Sequence, residues 1–172
     1  MDIKIRGETI DDYDIITEIN NLAFGGTGES QLIIHLRKTK EFIPDLSLIA
    51  LFDERVVGHI LFYPITIEAA TNTFPTISLA PMAIHPDYQY KGIGTKLVID
   101  GLQRCKDMNF DSVIVLGHPE YYPRFGFTPA CKWGLYSDFE APDEAFMALE
   151  LKENALPDKS GKVVYPKEYL EV

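Results

Sequence analysis

Among its 172 residues the chain has only two cysteines, Cys105 and Cys131, and a single tryptophan. Two thiols without paired C-x-x-C spacing exclude a disulfide scaffold and a cysteine zinc site, which leaves buried free thiols as the default reading. The four histidines are too scattered for a metal-ligand spacing, so no metal is expected. No apolar run approaches the roughly 20 residues that cross a bilayer, and Met1-Asp2-Ile3-Lys4-Ile5-Arg6 lacks the apolar stretch of a secretory signal. Basic residues are also scarce: 16 Lys and Arg against 26 Asp and Glu give a net charge of −10. That sign disfavours nucleic acid and anionic membrane as partners. A soluble cytoplasmic protein is the expectation.

What is present is an ordinary globular composition, 46% hydrophobic, 12% aromatic and 24% charged, at a length that fits one domain spanning residues 1–172. Ile3 to Arg6 alternates as a short strand. Thr9 and Asp12 mark a helix start before Ile10, Tyr13, Ile16, Ile19 and Leu22, the segment from Phe24 to Gly28 breaks it, and Glu29 to Lys40 predicts a second helix. Ser47 to Phe52 and Val56 to Tyr63 form an antiparallel hairpin through Asp53-Glu54-Arg55. Thr76 to Ile84 is a strand whose ladder is interrupted at Pro81, which has no N–H to donate. A helix from about Gly92 to Met108 places Ile93, Leu97, Gly101, Cys105 and Met108 on one face, and the apolar Ser112 to Leu116 follows as a strand covered on both sides. Strand, helix and strand in that order favour a parallel pair. The tail adds strand material at Phe127 to Leu135 and at Phe146 to Leu151, with turns at Ala141 to Asp143 and Pro157 to Gly161. The fold class is α/β with a mixed sheet.

Chemistry concentrates between Met82 and Lys96, where a strand enters a helix through a turn with two glycines. Gly92 and Gly94 let a ligand approach the backbone, and the first N–H groups of a helix are unpaired and partly positive, so the turn suits phosphate oxygens. Lys91 and Lys96 add charge at its rim. A tight turn with no ligand is the plainer alternative. The dinucleotide fingerprint G-x-G-x-x-G fails because Leu97 stands where the third glycine belongs, and no G-x-x-x-x-G-K-[ST] occurs.

Gln89-Tyr90-Lys91-Gly92-Ile93-Gly94 matches Q/R-x-x-G-x-G/A, and Tyr122-Pro123-Arg124-Phe125-Gly126-Phe127 matches Y-x-x-x-G-F after the following strand. In these motifs and their separation the chain resembles the GNAT superfamily of acyl-CoA-dependent N-acyltransferases. The strings Leu79 to Pro86 and Leu116 to Phe127 are similar to its YhbS-like branch. The resemblance implies a sheet of about six or seven strands flanked by helices, with splayed central parallel strands. It implies acetyl-CoA as co-substrate and an amine as acceptor. The pyrophosphate loop falls on Gln89, Tyr90, Lys91, Gly92, Ile93, Gly94 and Thr95, and the pantetheine arm on Met82, Ala83 and Ile84.

In such enzymes the amine attacks the thioester directly and backbone N–H groups stabilise the oxyanion, here at Met82 or a neighbour. Tyr122 occupies the position of the acid that protonates the thiolate, with Tyr121 as the fallback; an ordinary tyrosine, with a pKa of about 10, keeps its proton at neutral pH. Glu29, His85, His118 and Glu120 are the candidates for the base, each with a plainer structural role. His35 and His59 read as core or surface residues, and Arg124 as a surface or ion-pairing residue rather than a phosphate ligand. Tyr121, Phe125, Phe127 and Trp133 read as core packing rather than a base-stacking platform. A non-catalytic acyl-CoA-binding module is the alternative function. Oligomeric state stays open, a homodimer being a common way to bury tail strands.

Overall fold

The alternation of Ile3 and Ile5 with Lys4 and Arg6 gives β1 (Ile3–Gly7), half-buried on one side only, in the computed structural model, which describes residues 1–171. Asp12 then accepts the Thr9 backbone N–H at 2.7 Å and a bidentate guanidinium from Arg6, and this fastens the start of α1 (Tyr13–Phe24) to β1. Gly25, with φ 71°, ends that helix, and α2 (Gly28–Arg37) follows. Ile16 and Ile19 of the first helix and Leu32, Ile33 and Leu36 of the second face the sheet, while Ile10 and Leu22 stay exposed. At the far end of α2 the Arg37 guanidinium meets Glu8 at 2.7 and 3.0 Å and lies 3.8 Å over the Tyr13 ring.

A two-residue turn at Asp53 and Glu54, both at positive φ, joins β2 (Ser47–Phe52) to the long β3 (Arg55–Ala69). Next to it β4 (Thr73–Ile84) runs antiparallel. Leu79 pairs with Phe62 and Met82 with Ile60, so Ala80 and Pro81 together oppose Leu61. The ladder is interrupted at Pro81, where the proline lacks its donor.

Left-handed Gly92 leads into α3 (Ile93–Asp107), which buries Ile93, Leu97, Val98, Gly101 and Cys105 and leaves Met108 beyond its end and exposed. It returns the chain to β5 (Ser112–Leu116), parallel to β4 only at Ile77 with Val113 and Ser78 with Ile114. Past Ser78 the two strands part. The tail holds β6 (Thr128–Pro129), β7 (Leu135–Tyr136), β8 (Phe146–Glu150) and β9 (Gly161–Val164).

The sheet order is β1-β2-β3-β4-β5-β8-β6, with β9 paired to β3 and β7. Among the described residues nine strands exceed the expected six or seven, because the tail contributes short pieces. The expected strand from Phe127 to Leu135 is instead two two-residue strands around a turn at Ala130–Trp133, since Pro129 cannot extend a ladder and Gly134 turns left-handed. That turn leaves Cys131 exposed, contrary to the buried thiol expected; Cys105 is buried. Gly161, read as part of a turn, opens β9, where the Glu68 carbonyl occupies the place a side chain would take.

Alternate residues of β3 feed two cores on opposite faces of the sheet. Leu61, Tyr63 and Ile65 pack with α1, α2 and tail residues; Ile60 and Phe62 pack with α3 and Phe127. No helix among the described residues is long and apolar enough to cross a membrane.

Candidate active site

The parting of β4 from β5 leaves the β5-side edge of β4 from Leu79 to Ile84 without a strand partner among the described residues. Two side chains take up part of that edge: the Tyr169 hydroxyl donates to the Ala80 carbonyl at 3.2 Å, and the Gln89 amide donates to the Ile84 carbonyl at 3.1 Å. Between them lies a cleft of about 1110 Å³. It reaches from the first turn of α3 to α2 and the tail, and its lining residues come from both cores.

At the α3 end the first hydrogen bond of the helix is Lys96 N–H to Gly92 C=O, so the N–H groups of Ile93, Gly94 and Thr95 have no carbonyl within the helix. Gly92 sits at φ 82°, a conformation that strains residues with a Cβ, and nothing lies within 4 Å of where a Cβ would stand. Of the sequence-predicted ligand residues, Met82, Ala83, Ile84, Gln89, Tyr90, Gly92, Ile93, Gly94 and Thr95 line the cleft. Lys91 lies outside the lining, its ammonium 5.7 Å from the Tyr88 ring centre. Gln89 acts as a brace, tying the glycine turn to the strand before it.

After β5 the chain enters a single turn at Tyr122–Phe125. Tyr122 is buried against Phe127, with ring centres 5.8 Å apart, and still borders the cleft. Burial, with a smaller contribution from Tyr121, pushes its hydroxyl up to about 12. Tyr121 also borders the cleft, nearer the α3 end, where its hydroxyl lies 3.2 Å from Thr95 Oγ1. Arg124 makes no ion pair among the described residues. Its Nε donates to the Tyr121 carbonyl at 2.8 Å and its guanidinium stacks 4.3 Å over the Tyr121 ring.

Glu29, His118 and Glu120 all border the cleft, from α2 and from the segment after β5. His85 does not. Its Nδ1 accepts the Asp87 N–H at 3.1 Å, which makes it the cap of the short turn before the glycine loop. His59 is fully buried, with Nε2 2.9 Å from Ser47 Oγ, and desolvation lowers it to about 3, so it is a neutral core histidine. Among the described residues no three His, Cys, Asp or Glu side chains converge as metal ligands.

Sequence reasoning missed the tail wall. Tyr165 and Tyr169, ring centres 5.3 Å apart, and Phe139, 4.9 Å from Tyr165, close the cleft opposite α3. Burial pushes both phenols upward, against a smaller offset from the Ser78 hydroxyl. No local pattern announces these rings, because Tyr165 and Tyr169 follow β9, which docks on β3, and Phe139 meets Tyr165 from the separate segment between β7 and β8.

Residues 4–130 match the family model described as an acetyltransferase (GNAT) domain. The chain is 37% identical over 134 residues to the uncharacterized N-acetyltransferase YjhQ of Escherichia coli, covering 77% of this chain and 74% of that one. It is 29% identical over 162 residues to the uncharacterized N-acetyltransferase YhbS of the same organism, covering 94% and 95%. Among solved structures, E. coli YhbS in complex with CoA superposes with a TM-score of 0.90 at 28% identity, over 98% of this chain and 92% of that one. A GNAT family acetyltransferase from Brucella melitensis in complex with acetyl-CoA superposes at 0.78 and 29% identity, over 98% of each.

Proposed function

The chain belongs to the GNAT acetyltransferase family, and from that membership we propose that it moves an acetyl group from acetyl-CoA to the primary amine of a small molecule or protein. The observation that carries this reading is the cleft at the parting of β4 and β5, which joins an anion-binding helix start to a buried tyrosine and an aromatic chamber.

The N–H groups of Ile93, Gly94 and Thr95 hold the pyrophosphate, with Gly92 and Gly94 leaving room for it. The free edge of β4 at Met82, Ala83 and Ile84 pairs with the amides of the pantetheine arm, as an added strand would. The Met82 N–H stands at the thioester, where it stabilises the oxyanion as the amine nitrogen bonds to the carbonyl carbon. Collapse of that tetrahedral species breaks the C–S bond, and the thiolate takes the Tyr122 proton. Tyr122 suits this step because its hydroxyl has no protein partner among the described residues, whereas that of Tyr121 is engaged by Thr95. Glu29, His118 or Glu120, directly or through water, removes the proton the amine must lose.

Thiol release from acetyl-CoA, followed across an amine panel with calorimetric titration of acetyl-CoA alongside, tests the reading. Binding with turnover on an amine supports it. Binding with no turnover on any amine favours a non-catalytic acyl-CoA-binding module, and absence of binding overturns the assignment of the cleft.

A further inference from the structure

The two ends of the cleft differ in chemistry. The end at α3 offers backbone N–H groups, Gln89 and Thr95. The opposite end is built from one packing cluster, in which Leu32 of α2 and Tyr169 are buried and Phe139, Tyr165 and Ala80 pack against them. Its rings form a continuous series: Phe139 to Tyr165 at 4.9 Å, Tyr165 to Tyr169 at 5.3 Å, and Tyr169 to Tyr63 at 6.2 Å. The Tyr169 hydroxyl is already committed to the Ala80 carbonyl. This wall therefore presents ring faces and edges, with few free polar groups. Glu29 stands one helical turn before Leu32, on the same side of α2, and both border the cleft.

We propose that the acceptor is a primary amine carried on an aromatic or apolar body, its ring packed among Phe139, Tyr165 and Tyr169 and its ammonium facing Glu29. This rests on the acetyl-transfer reading above and names the substrate class for the same cleft. An aromatic body gains offset or edge-on contacts with such a wall, and its ammonium gains from the carboxylate and from the tyrosine faces. A polyamine would bury further charges beyond the reach of the Glu29 carboxylate, and an aminoglycoside would bury hydroxyls without partners, each at a desolvation cost. Phe139, Tyr165 and Tyr169 also lie outside the segment 4–130 that matches the family model. The three rings of the wall thus come from the tail, beyond the segment that carries the cofactor loop.

The test titrates phenethylamine, spermidine, kanamycin and a lysine-containing peptide into the CoA-loaded full-length protein by calorimetry, with thiol release from acetyl-CoA measured for the same four. The expected result is phenethylamine binding at least about tenfold tighter than spermidine, the difference one well-packed ring makes. Phe139→Leu and Tyr165→Leu should each weaken phenethylamine about tenfold while CoA affinity and the circular dichroism spectrum hold. Glu29→Gln should weaken phenethylamine and leave the uncharged phenethyl alcohol unaffected. Tighter binding or faster turnover with spermidine, kanamycin or the peptide would overturn the acceptor class and leave acetyl transfer intact. Failure of phenethylamine to bind the CoA-loaded protein would overturn it as well. Phenethylamine binding without thiol release would instead support the chamber and count against acetyl transfer.

Discussion

The Tyr121 hydroxyl, 3.2 Å from Thr95 Oγ1, hangs directly over Gly94, where a Cβ would stand only 3.3 Å from it. The other near neighbours of such a Cβ are the Met82 sulfur and methyl, both at 3.5 Å and both at the end of a flexible side chain. A side chain at position 94 therefore displaces mobile groups and fills the mouth of the helix start. Gly94→Val should stay folded and bind acetyl-CoA about tenfold or more weakly, as a group that blocks close backbone approach does. Calorimetry on the folded variant checks this, and unchanged affinity would remove the loop from the binding site.

Gly92 offers the opposite case. Nothing lies within 4 Å of a Cβ there, but its φ is 82°. Gly92→Ala should cost about 1–2 kcal/mol through backbone strain alone, a fall of a few degrees in Tm visible by scanning calorimetry.

Tyr122→Phe keeps the ring packed on Phe127 and removes only the hydroxyl. Turnover should fall about 10²-fold or more, as loss of a positioned acid does, with acetyl-CoA affinity unchanged. Because burial raises the hydroxyl to about 12, the wild-type rate should show no alkaline loss from this group up to pH 10. A pH-rate profile falling through pH 9 by a tyrosine ionisation would assign the acid elsewhere.

His59 makes stability depend on pH. Its ordinary value of 6.5 applies in the unfolded chain, while the buried ring titrates near 3. Between those values the unfolded state binds more protons, so stability is full above 6.5 and falls as pH drops toward 3, by up to about 1.4 kcal/mol per pH unit. Urea midpoints at pH 7 and 5 should differ for the wild type, and His59→Gln should flatten that difference. The Arg6 guanidinium holds Asp12 below its ordinary value, and this adds a separate loss at more acidic pH, as the carboxylate protonates.

Gly101 lets α3 settle on β3, since the Phe62 ring occupies the place of its missing Cβ. Gly101→Ala gains helix propensity but overpacks a closed core, and a net loss of about 1–3 kcal/mol in urea unfolding is expected.

How much of this was readable in the sequence follows the range of the interactions involved. The glycine turn, the interrupted strand at Pro81 and the hairpin at Asp53-Glu54 are set by missing Cβ atoms, a missing N–H and turn chemistry a few residues long, so residue identity reveals them. The grouping of Met82 to Ile84 with the glycine turn follows from one strand-to-helix connection. The tail resisted reading because Gly161–Val164 owes its strand character to docking on Thr66–Ala69. The Tyr169 contact with Ala80 likewise spans 89 residues. His85 stayed undecided for a related reason: a histidine before Pro86 fits both a cap and a base, and its bond to the Asp87 N–H selects the cap, the plainer of the two roles.

The two walls of the cleft belong to packing clusters on opposite faces of the sheet, and substitutions in separate clusters act nearly independently. One wall can therefore drift while the other keeps its shape. Descendants of such a chain can change Phe139, Tyr165 and Tyr169 and acquire a new appetite without surrendering their grip on the donor.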